Sequence, residues 1–371
     1  MAVRKRRAAA VGRATATQGC KKRRTRIAST EDFEFEDAPC LGKGSFGTVV
    51  RARHRSTGRT VAIKFPCDSE DPADAAAKLQ REAGFLAACA GNPYVVGSHG
   101  LVLDPATGRL GLAMEFVAGP SLHAFLRERA PLPEPIVCAY MWRLLTAAGM
   151  MHRLGIVHRD LKPSNILVAK GGKILKICDL GLAMSLRTAD QTRSSDAGTL
   201  PYMAPEVLLG KPDYDAGADT WSLGCVMAEM LTGKPLFKGD VRRDDPVRQV
   251  RTVFRVLGSP DDRTWPEFTS LPLAARVRFR EQQRSTLGDL FPAEMLSEDG
   301  YQVLKGLLDC NPGKRLTAAA ALQLPWFMPE IDIDTSTDDT FIPPASSTEE
   351  NLLRIPLDMW KNAQRQLCLI R

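Results

Sequence analysis

The sequence predicts an α+β protein of two lobes: a small N-terminal lobe with an antiparallel sheet and one main helix, and a larger, mostly helical C-terminal lobe. Residues 34–65 alternate short β-branched segments with turn signals, which is typical of paired strands. Residues 133–153 and 217–232 carry long apolar stripes at helical spacing. Of the 371 residues, 44% are hydrophobic and 25% are charged, close to the globular average. This composition supplies a large core and excludes a fibrous or wholly disordered protein.

The N-terminal lobe is predicted over residues 33–117. Its strand candidates are rich in β-branched residues and separated by turns: 48–52 and 60–65 around a turn at 56–58, then two more around a turn at 104–108. Between these pairs, residues 72–90 are rich in alanine, with Leu79 and Leu86 on one helical face. The segment 72–90 is therefore predicted to be the main helix of this lobe.

The pattern changes from strands to helices after Gly119, so a larger lobe is predicted over residues 118–327. Residues 328–371 begin with an acidic stretch rich in Ser, Thr and Pro and are predicted to be a loosely ordered extension. Residues 1–32 are predicted to be a disordered basic tail, because they hold almost no large apolar side chains. The first 30 residues contain ten basic residues and no acidic one, whereas the remaining 341 residues hold 40 basic and 43 acidic ones, so the positive net charge of +7 comes from the tail.

Two classes of protein are excluded by simple counts. No run of 18 or more apolar residues occurs, which predicts no membrane-spanning helix. The nine cysteines stand singly, without a C-x-x-C pair, which argues against a zinc ribbon or a disulfide scaffold.

The first chemical motif is a glycine-rich segment between two predicted strands. Its candidate nucleotide-binding residues are Leu41, Gly42, Lys43, Gly44, Ser45, Phe46, Gly47 and Val49. Glycines allow backbone N–H groups to approach phosphate oxygens closely, because no Cβ stands in the way. Taken alone, the segment is equally consistent with a plain glycine turn. It does not match the dinucleotide-binding fingerprint, since a strand rather than a helix follows it.

The second motif is Val-Ala-Ile-Lys at residues 61–64. Side chains alternate along a strand, so Ala62 and Lys64 share one face. A small residue beside a lysine suits an adenine slot with an adjacent phosphate-binding ammonium, although a surface lysine at a strand end remains an alternative. Glu82, on the next predicted helix, is placed to pair with Lys64, and the alternative is a solvated helix charge.

Three further motifs identify a family. Residues 157–165 are Val-His-Arg-Asp-Leu-Lys-Pro-Ser-Asn, followed by Asp-Leu-Gly at 179–181 and Ala-Pro-Glu at 204–206. Together with the two motifs above, in this order, they resemble the eukaryotic protein kinases over roughly residues 35–327. The resemblance implies the bilobal protein kinase fold, and an enzyme that transfers the γ-phosphoryl group of ATP to Ser or Thr hydroxyls of proteins.

The resemblance implies a role for each motif residue. Asp160 accepts or orients the proton of the substrate hydroxyl, and Lys162 reaches the γ-phosphate. Asn165 and Asp179 are oxygen ligands suited to Mg²⁺. Lys64 holds the α- and β-phosphates of ATP.

Other positions match the kinase pattern around the nucleotide. Met114 stands where the family guards the back of the pocket, and Glu115, Phe116 and Val117 match the hinge that meets adenine beside Ala62. Three residues match structural positions: Asp219, which braces the catalytic loop, and the pair Arg315 and Glu206. Lys162 and Thr199 are the two positions typical of Ser/Thr kinases.

Within the kinases, residues 236–239, 250–260 and 265–266 resemble the cyclin-dependent branch, nearest to the divergent plant F-type group. That resemblance implies a cell-cycle role or the activation of other kinases. A cyclin partner stays open, because residues 77–82 read Ala-Lys-Leu-Gln-Arg-Glu where cyclin-binding members have P-S-T-A-I-R-E. The residues matching the activating phosphorylation site are Ser194, with Ser195 and Thr192 as alternatives, and Met184 replaces one of three phosphate-binding arginines.

Two functions from other classes compete with the kinase assignment. A catalytically weak pseudokinase scaffold would normally lack one of four residues, and all four are present: Lys64, Asp160, Asn165 and Asp179. A nucleic-acid-binding protein rests on the basic tail alone. The basic blocks at 4–7 and 21–24 predict a bipartite nuclear import signal and hence an import receptor as partner, whereas an organelle transit peptide or a cytoplasmic protein is the alternative.

Overall fold

The computed structural model describes residues 27–44, 47–67, 69–187, 198–239, 245–279 and 283–327, with the backbone alone at 37–39. The strands are β1 (Ala28–Ser29), β2 (Phe33–Gly44), β3 (Gly47–His54), β4 (Thr60–Phe65), β5 (Ser98–Leu103), β6 (Leu110–Glu115), β7 (Ile156–Val157), β8 (Ile166–Ala169), β9 (Ile174–Ile177) and β10 (Met184–Ser185). The α-helices are α1 (Pro72–Ala88), α2 (Leu122–Arg129), α3 (Glu134–Arg153), α4 (Pro205–Leu208), α5 (Gly217–Thr232), α6 (Pro246–Leu257), α7 (Leu287–Leu290), α8 (Glu298–Leu307) and α9 (Ala318–Ala321). The predicted helices at 72–90, 133–153 and 217–232 are confirmed as α1, α3 and α5.

The N-terminal lobe contains one sheet in the order β1-β5-β6-β4-β3-β2. Its pairs are antiparallel, as predicted, except that β1 runs parallel to β5. Ala28 pairs with Val102 in β5, and Ser29 caps the following turn by accepting a hydrogen bond from the Glu31 N–H. The ordered lobe therefore begins before the predicted boundary at residue 33, and residues 1–26 lie outside the described part of the chain.

The sheet separates two apolar clusters. Val61 and Ile63 of β4 pack on one face with Ala113. Lys64 lies on the other face, which is the alternation predicted for this strand. Helix α1 covers that face through Leu79 and Phe85. Asp71 caps the start of the helix, because its carboxylate accepts hydrogen bonds from the Ala73 and Asp74 N–H groups. The strand and the helix thus bring Lys64 and α1 to the same side of the sheet.

The C-terminal lobe is built around α5, which is buried along nearly its whole length. A helix that is buried on all sides is expected at the centre of a large domain. Helix α3 packs along it, and Trp221 of α5 stacks on Phe237 with ring centroids 5.5 Å apart. Two small antiparallel two-stranded sheets, β8–β9 and β7–β10, fix the segments that carry the chemical motifs. No helix in the described segments is long and apolar enough to cross a membrane.

Candidate active site

The lysine of the second motif is buried in an ion triad between the lobes. Lys64 Nζ lies 2.8 Å from Glu82 Oε2 and 2.7 Å from Asp179 Oδ1. Lys64 is 6% exposed and Glu82 is 3% exposed, so the alternatives of a surface lysine and a solvated helix charge are wrong. The triad joins three elements. Lys64 lies on β4, Glu82 lies 18 residues later on α1, and Asp179 lies 115 residues after Lys64 in the Asp-Leu-Gly segment.

The charges of the triad are set by one ammonium facing two carboxylates. Burial alone would lower the pKa of Lys64, but the adjacent carboxylates of Glu82 and Asp179 outweigh it and raise that pKa. Burial would raise the pKa of Asp179, but Lys64 outweighs it, so the pKa of Asp179 is lowered. Lys64 and Asp179 therefore stay charged, whereas at Glu82 burial outweighs the contact with Lys64 and raises the pKa of that carboxyl.

Two backbone features make room for this triad. Asp179 has φ of 63°, a left-handed conformation uncommon for any residue but glycine, asparagine and aspartate. A Cβ on Gly181 would stand 3.2 Å from Asp179 Oδ1 and 3.4 Å from Lys64 Nζ. Glycine at 181 therefore keeps the space above the ion triad open. Leu180, between Asp179 and Gly181, is buried in the core.

The catalytic-loop residues form a second polar cluster around Asp160. Asn165 Nδ2 donates to Asp160 Oδ2 at 3.0 Å and to the Asp160 carbonyl at 2.8 Å. Lys162 Nζ lies 2.8 Å from Asp160 Oδ2 and donates to Thr199 Oγ1 at 2.7 Å. Thr199 Oγ1 in turn donates to Asp160 Oδ1 at 2.7 Å. A hydroxyl in contact with both Asp160 and a lysine is the arrangement that proton acceptance from an alcohol requires.

Asp219 of α5 fixes the backbone of the catalytic loop through hydrogen bonds. Its carboxylate accepts from the His158 and Arg159 N–H groups at 2.8 and 2.9 Å, and from His152 Nε2 at 2.9 Å. Burial would raise the pKa of Asp219, but the contact with His152 lowers it, and the carboxylate remains charged. Arg159 has φ of 69°, so these two backbone bonds offset the strain of a left-handed residue next to Asp160.

His158 links the two polar clusters. Its Nδ1 accepts from the Asp160 N–H at 3.3 Å, which assigns the proton to Nε2. Nε2 then donates to the Cys178 carbonyl at 3.1 Å, directly before Asp179. His152 and His158 were not predicted as site residues. The spacing of His152 gives no signal, because its partner is 67 residues away.

The glycine-rich segment forms the β2–β3 hairpin, in which Gly44 faces Gly47. Gly47 has φ of 115° and lies against the Phe65 carbonyl, so no other residue fits there. No heavy atom lies within 4 Å of the positions that Cβ atoms would take on Gly42 and Gly44, which leaves the face of the hairpin open. Leu41 and Lys43 are exposed and Val49 is half-buried, while Ser45 and Phe46 lie outside the described residues.

The predicted hinge connects the two lobes at the end of β6. Met114 pairs with Ala62 across the sheet, and both are buried. Val117 is buried as well, whereas the Glu115 carboxylate points elsewhere: it accepts from the Gly97 N–H at 3.0 Å and from Lys176 Nζ at 2.8 Å. The Glu115 side chain therefore stabilises the hinge, and any contact with a base is left to the backbone.

The Ala-Pro-Glu segment is anchored by a buried ion pair. Arg315 donates to Glu206 Oε1 at 2.6 Å and to Oε2 at 2.7 Å, in the bidentate geometry that suits guanidinium and carboxylate. The Arg315 guanidinium also lies 5.1 Å from the centre of the Trp221 ring. This pair fixes α4 to the core and hence fixes Thr199, a few residues earlier.

Two of the positions that resemble the phosphate-binding arginines of the family differ in burial. Arg81, which matches one of them, is exposed, and Met184, which replaces the arginine at another, is buried. Ser194, Ser195 and Thr192 lie outside the described residues.

We expect Gly198→Ala to lower kcat/KM at least about tenfold, because Gly198 has φ of 128° and a Cβ there would stand 3.0 Å from the Arg159 carbonyl. The strain would displace Thr199 from Asp160. Peptide phosphorylation kinetics measure the effect. Gly108→Ala is the matched control, since Gly108 also has positive φ but nothing lies near its Cβ position. Equal, small losses in both variants would contradict a role for Gly198 in placing Thr199.

Comparison with known proteins agrees with this geometry. The family model of the protein kinase domain matches residues 35–327. A rice protein (Oryza sativa subsp. japonica) named "Putative cyclin-dependent kinase F-2" is 41% identical over 322 residues, covering 82% of this chain and 93% of that protein. Cyclin-dependent kinase B2-1 of the same subspecies is 33% identical over 304 residues, covering 79% and 89%. Cyclin-dependent kinase G-2 of Oryza sativa subsp. indica is 34% identical over 311 residues. That match covers 82% of this chain and 43% of the length of the relative.

The predicted family is thus confirmed by the matched model, by plant relatives and by the two polar clusters between the lobes. The chain belongs to the protein kinase family and is a Ser/Thr protein kinase of the cyclin-dependent kinase type.

Proposed function

We propose that this kinase uses Mg²⁺ and ATP to phosphorylate Ser or Thr hydroxyls of nuclear proteins, with a cell-cycle role or the activation of other kinases as its context. The observation that carries the chemistry is the Thr199 hydroxyl, which touches both Asp160 and Lys162 at 2.7 Å. A substrate hydroxyl in the same place would meet a proton acceptor and a cation together.

The residues present fit a bound magnesium nucleotide. Asn165 uses its NH₂ group for Asp160, so its amide oxygen is left as a metal ligand. Asp179 supplies a carboxylate oxygen of lowered pKa, and two oxygen donors plus phosphates are the ligands that Mg²⁺ prefers. When bound, ATP supplies the phosphoryl group and Mg²⁺ neutralises the negative charge of the phosphates.

Each protein group then has one task. Lys64, held by Glu82, presents its ammonium to the phosphates from the roof of the cleft. Asp160 accepts the proton of the incoming hydroxyl, and Lys162 lies on the same side to stabilise negative charge on the transferring group. His158 and Asp219 are positioning residues, because they touch the loop backbone and no reacting atom.

The direct test is a phosphorylation assay of the purified full chain with Mg·ATP and a peptide library. Transfer to Ser and Thr peptides, lost on omission of the metal, supports the proposal. Nucleotide binding without transfer at any peptide would instead support the pseudokinase scaffold.

We expect the protein to be active without a cyclin. The Lys64–Glu82 pair is formed in the single chain at 2.8 Å, and the exposed side chains of α1 are proline, alanine or polar residues. A partner is therefore not needed to position α1, and α1 exposes no large apolar side chains that a partner could bind. Adding purified cyclins should change kcat/KM less than about tenfold, or about 1.4 kcal/mol. Strict dependence on one cyclin would contradict this.

We expect tagged full-length protein to accumulate in the nucleus through the basic blocks at 4–7 and 21–24. Deletion of residues 1–26, which spares the β1 pairing, should release it to the cytoplasm. Alanine at each basic position of 21–24 should weaken accumulation in the same way. Import into plastids or mitochondria with cleavage of the tail would contradict the import signal. Salt-dependent binding to nucleic acid, lost with the tail, would support the nucleic-acid alternative instead.

A further inference from the structure

A row of exposed arginines lies on the outer face of α6. Arg248, Arg251 and Arg255 stand at i, i+3 and i+7, which places them on one side of the helix. Val250 and Phe254 on the opposite side are fully buried. The arginine side chains therefore face solvent as a group, held by a well-packed helix.

Two neighbouring segments extend this row into a surface. Arg251 Nη2 donates to the Arg276 carbonyl at 3.0 Å, so the exposed Arg276 and Arg278 lie beside α6. On the other flank, the Thr286 N–H donates to the Val256 carbonyl at 2.8 Å. Together with the Ser259 N–H, which donates to the Gln283 carbonyl at 3.0 Å, that bond places Arg284 beside Gly258, at the C-terminal end of α6. The arginine surface is defined by these six residues: Arg248, Arg251, Arg255, Arg276, Arg278 and Arg284.

Little of this positive charge is neutralised within the described segments. Arg248 lies 3.7 Å from Asp245 and Arg284 lies 3.5 Å from Asp289, both at the solvent, where ion pairs contribute little. The other four arginines form no ion pair with a carboxylate of any described residue. A surface of this kind attracts an acidic partner.

The chain itself contains a segment of the opposite charge. Residues 329–350 hold seven acidic residues and no basic one. The acidic positions are Glu330, Asp332, Asp334, Asp338, Asp339, Glu349 and Glu350. Isoleucines at 331 and 333 alternate with the first of these, so the segment also offers apolar contacts.

The described chain ends close enough for this segment to reach the arginine surface. Trp326 lies against Gly300 at the start of α8. Tyr301 follows Gly300 in the helix, and its hydroxyl lies 3.3 Å from the Cβ position of Gly288 in α7. Arg284 is four residues before Gly288, and the exposed Leu290 lies on the way. Residues 328–339 span at most about 40 Å when fully extended, which exceeds the combined width of the helices α7 and α8, about 20 Å.

We propose that the acidic segment 329–350 docks on the arginine surface of its own chain. Its carboxylates would pair with Arg251, Arg255 and Arg276, and its isoleucines would cover Leu290. The contact joins the C-terminal extension to α6, which itself packs on α4 and on the turn Leu200–Tyr202 beside Thr199.

The test uses full-length protein carrying the photo-cross-linker benzoylphenylalanine in place of Ala275, an exposed residue beside Arg276. We expect cross-links within one chain to peptides from 329–350, and a several-fold lower yield at 0.5 M salt. The same probe in place of the exposed Ala77 on α1 is the positional control and should give none.

Charge reversal makes the test specific. Arg251→Glu with Arg255→Glu should lower the yield about three- to tenfold, and Asp338→Lys with Asp339→Lys should do the same. Combining the four substitutions should restore much of the yield. Arg127→Glu on α2 is the matched control and should have no effect. Unchanged melting temperatures verify that the variants fold. Cross-links to residues 1–26, to a second copy or to no peptide, or yields insensitive to charge reversal, would overturn the proposal.

Discussion

Asp160→Asn is expected to lower kcat for peptide phosphorylation by at least about 10²-fold, with little change in the KM for ATP. The amide keeps the size of the side chain and its contacts with Asn165 and Lys162, but it cannot accept the proton that Thr199 Oγ1 now donates at 2.7 Å. The loss therefore falls on the chemical step. Steady-state kinetics with purified protein measure it.

The control for this substitution is Asp262→Asn, at an exposed aspartate after α6. It changes the same atoms and net charge without touching the cleft, so its kcat should equal that of the unmodified chain. Near-normal turnover in Asp160→Asn, with a folded protein, would mean that Asp160 is not the proton acceptor.

Lys64→Met is expected to abolish transfer, with a loss of about 10²–10³-fold in kcat/KM, because the ammonium that meets the phosphates is gone. It also leaves Glu82, 3% exposed, without its cation. Burial then raises the pKa of Glu82 unopposed, so a carboxyl that is neutral when folded contributes stability at low pH and loses it as pH rises. The melting temperature of the variant should fall more at pH 8 than at pH 5.

A second substitution separates structure from catalysis here. Adding Glu82→Gln removes the buried acid, so the double variant should regain thermal stability at pH 8 and still lack activity. Lys305→Met, at an exposed lysine of α8, is the matched control and should change neither property. Activity regained together with stability would show that Lys64 acts only through the fold.

The elements with strong periodic patterns were predictable from the sequence. Strand β4 and helices α3 and α5 were identified because their side chains repeat at the period of the element, and that repeat is a local property. Strand β1 has two residues and no repeat, so its pairing with Val102 was beyond sequence reasoning. Its partner in the sheet, not its own residues, decides that it is a strand.

The same division holds in the active site. The sequence determined the cluster of Asp160, Lys162 and Asn165, because six consecutive residues of one loop contain all three and their order specifies the family. Only the tertiary structure decided that Lys64 is buried between Glu82 and Asp179, that Glu115 turns to Lys176, and that His152 meets Asp219. Each of these contacts joins residues from different elements. The packing of those elements therefore determines which group lies beside each carboxylate. Residue type fixes what a side chain is able to bind, whereas the close approach of distant segments fixes what it does bind.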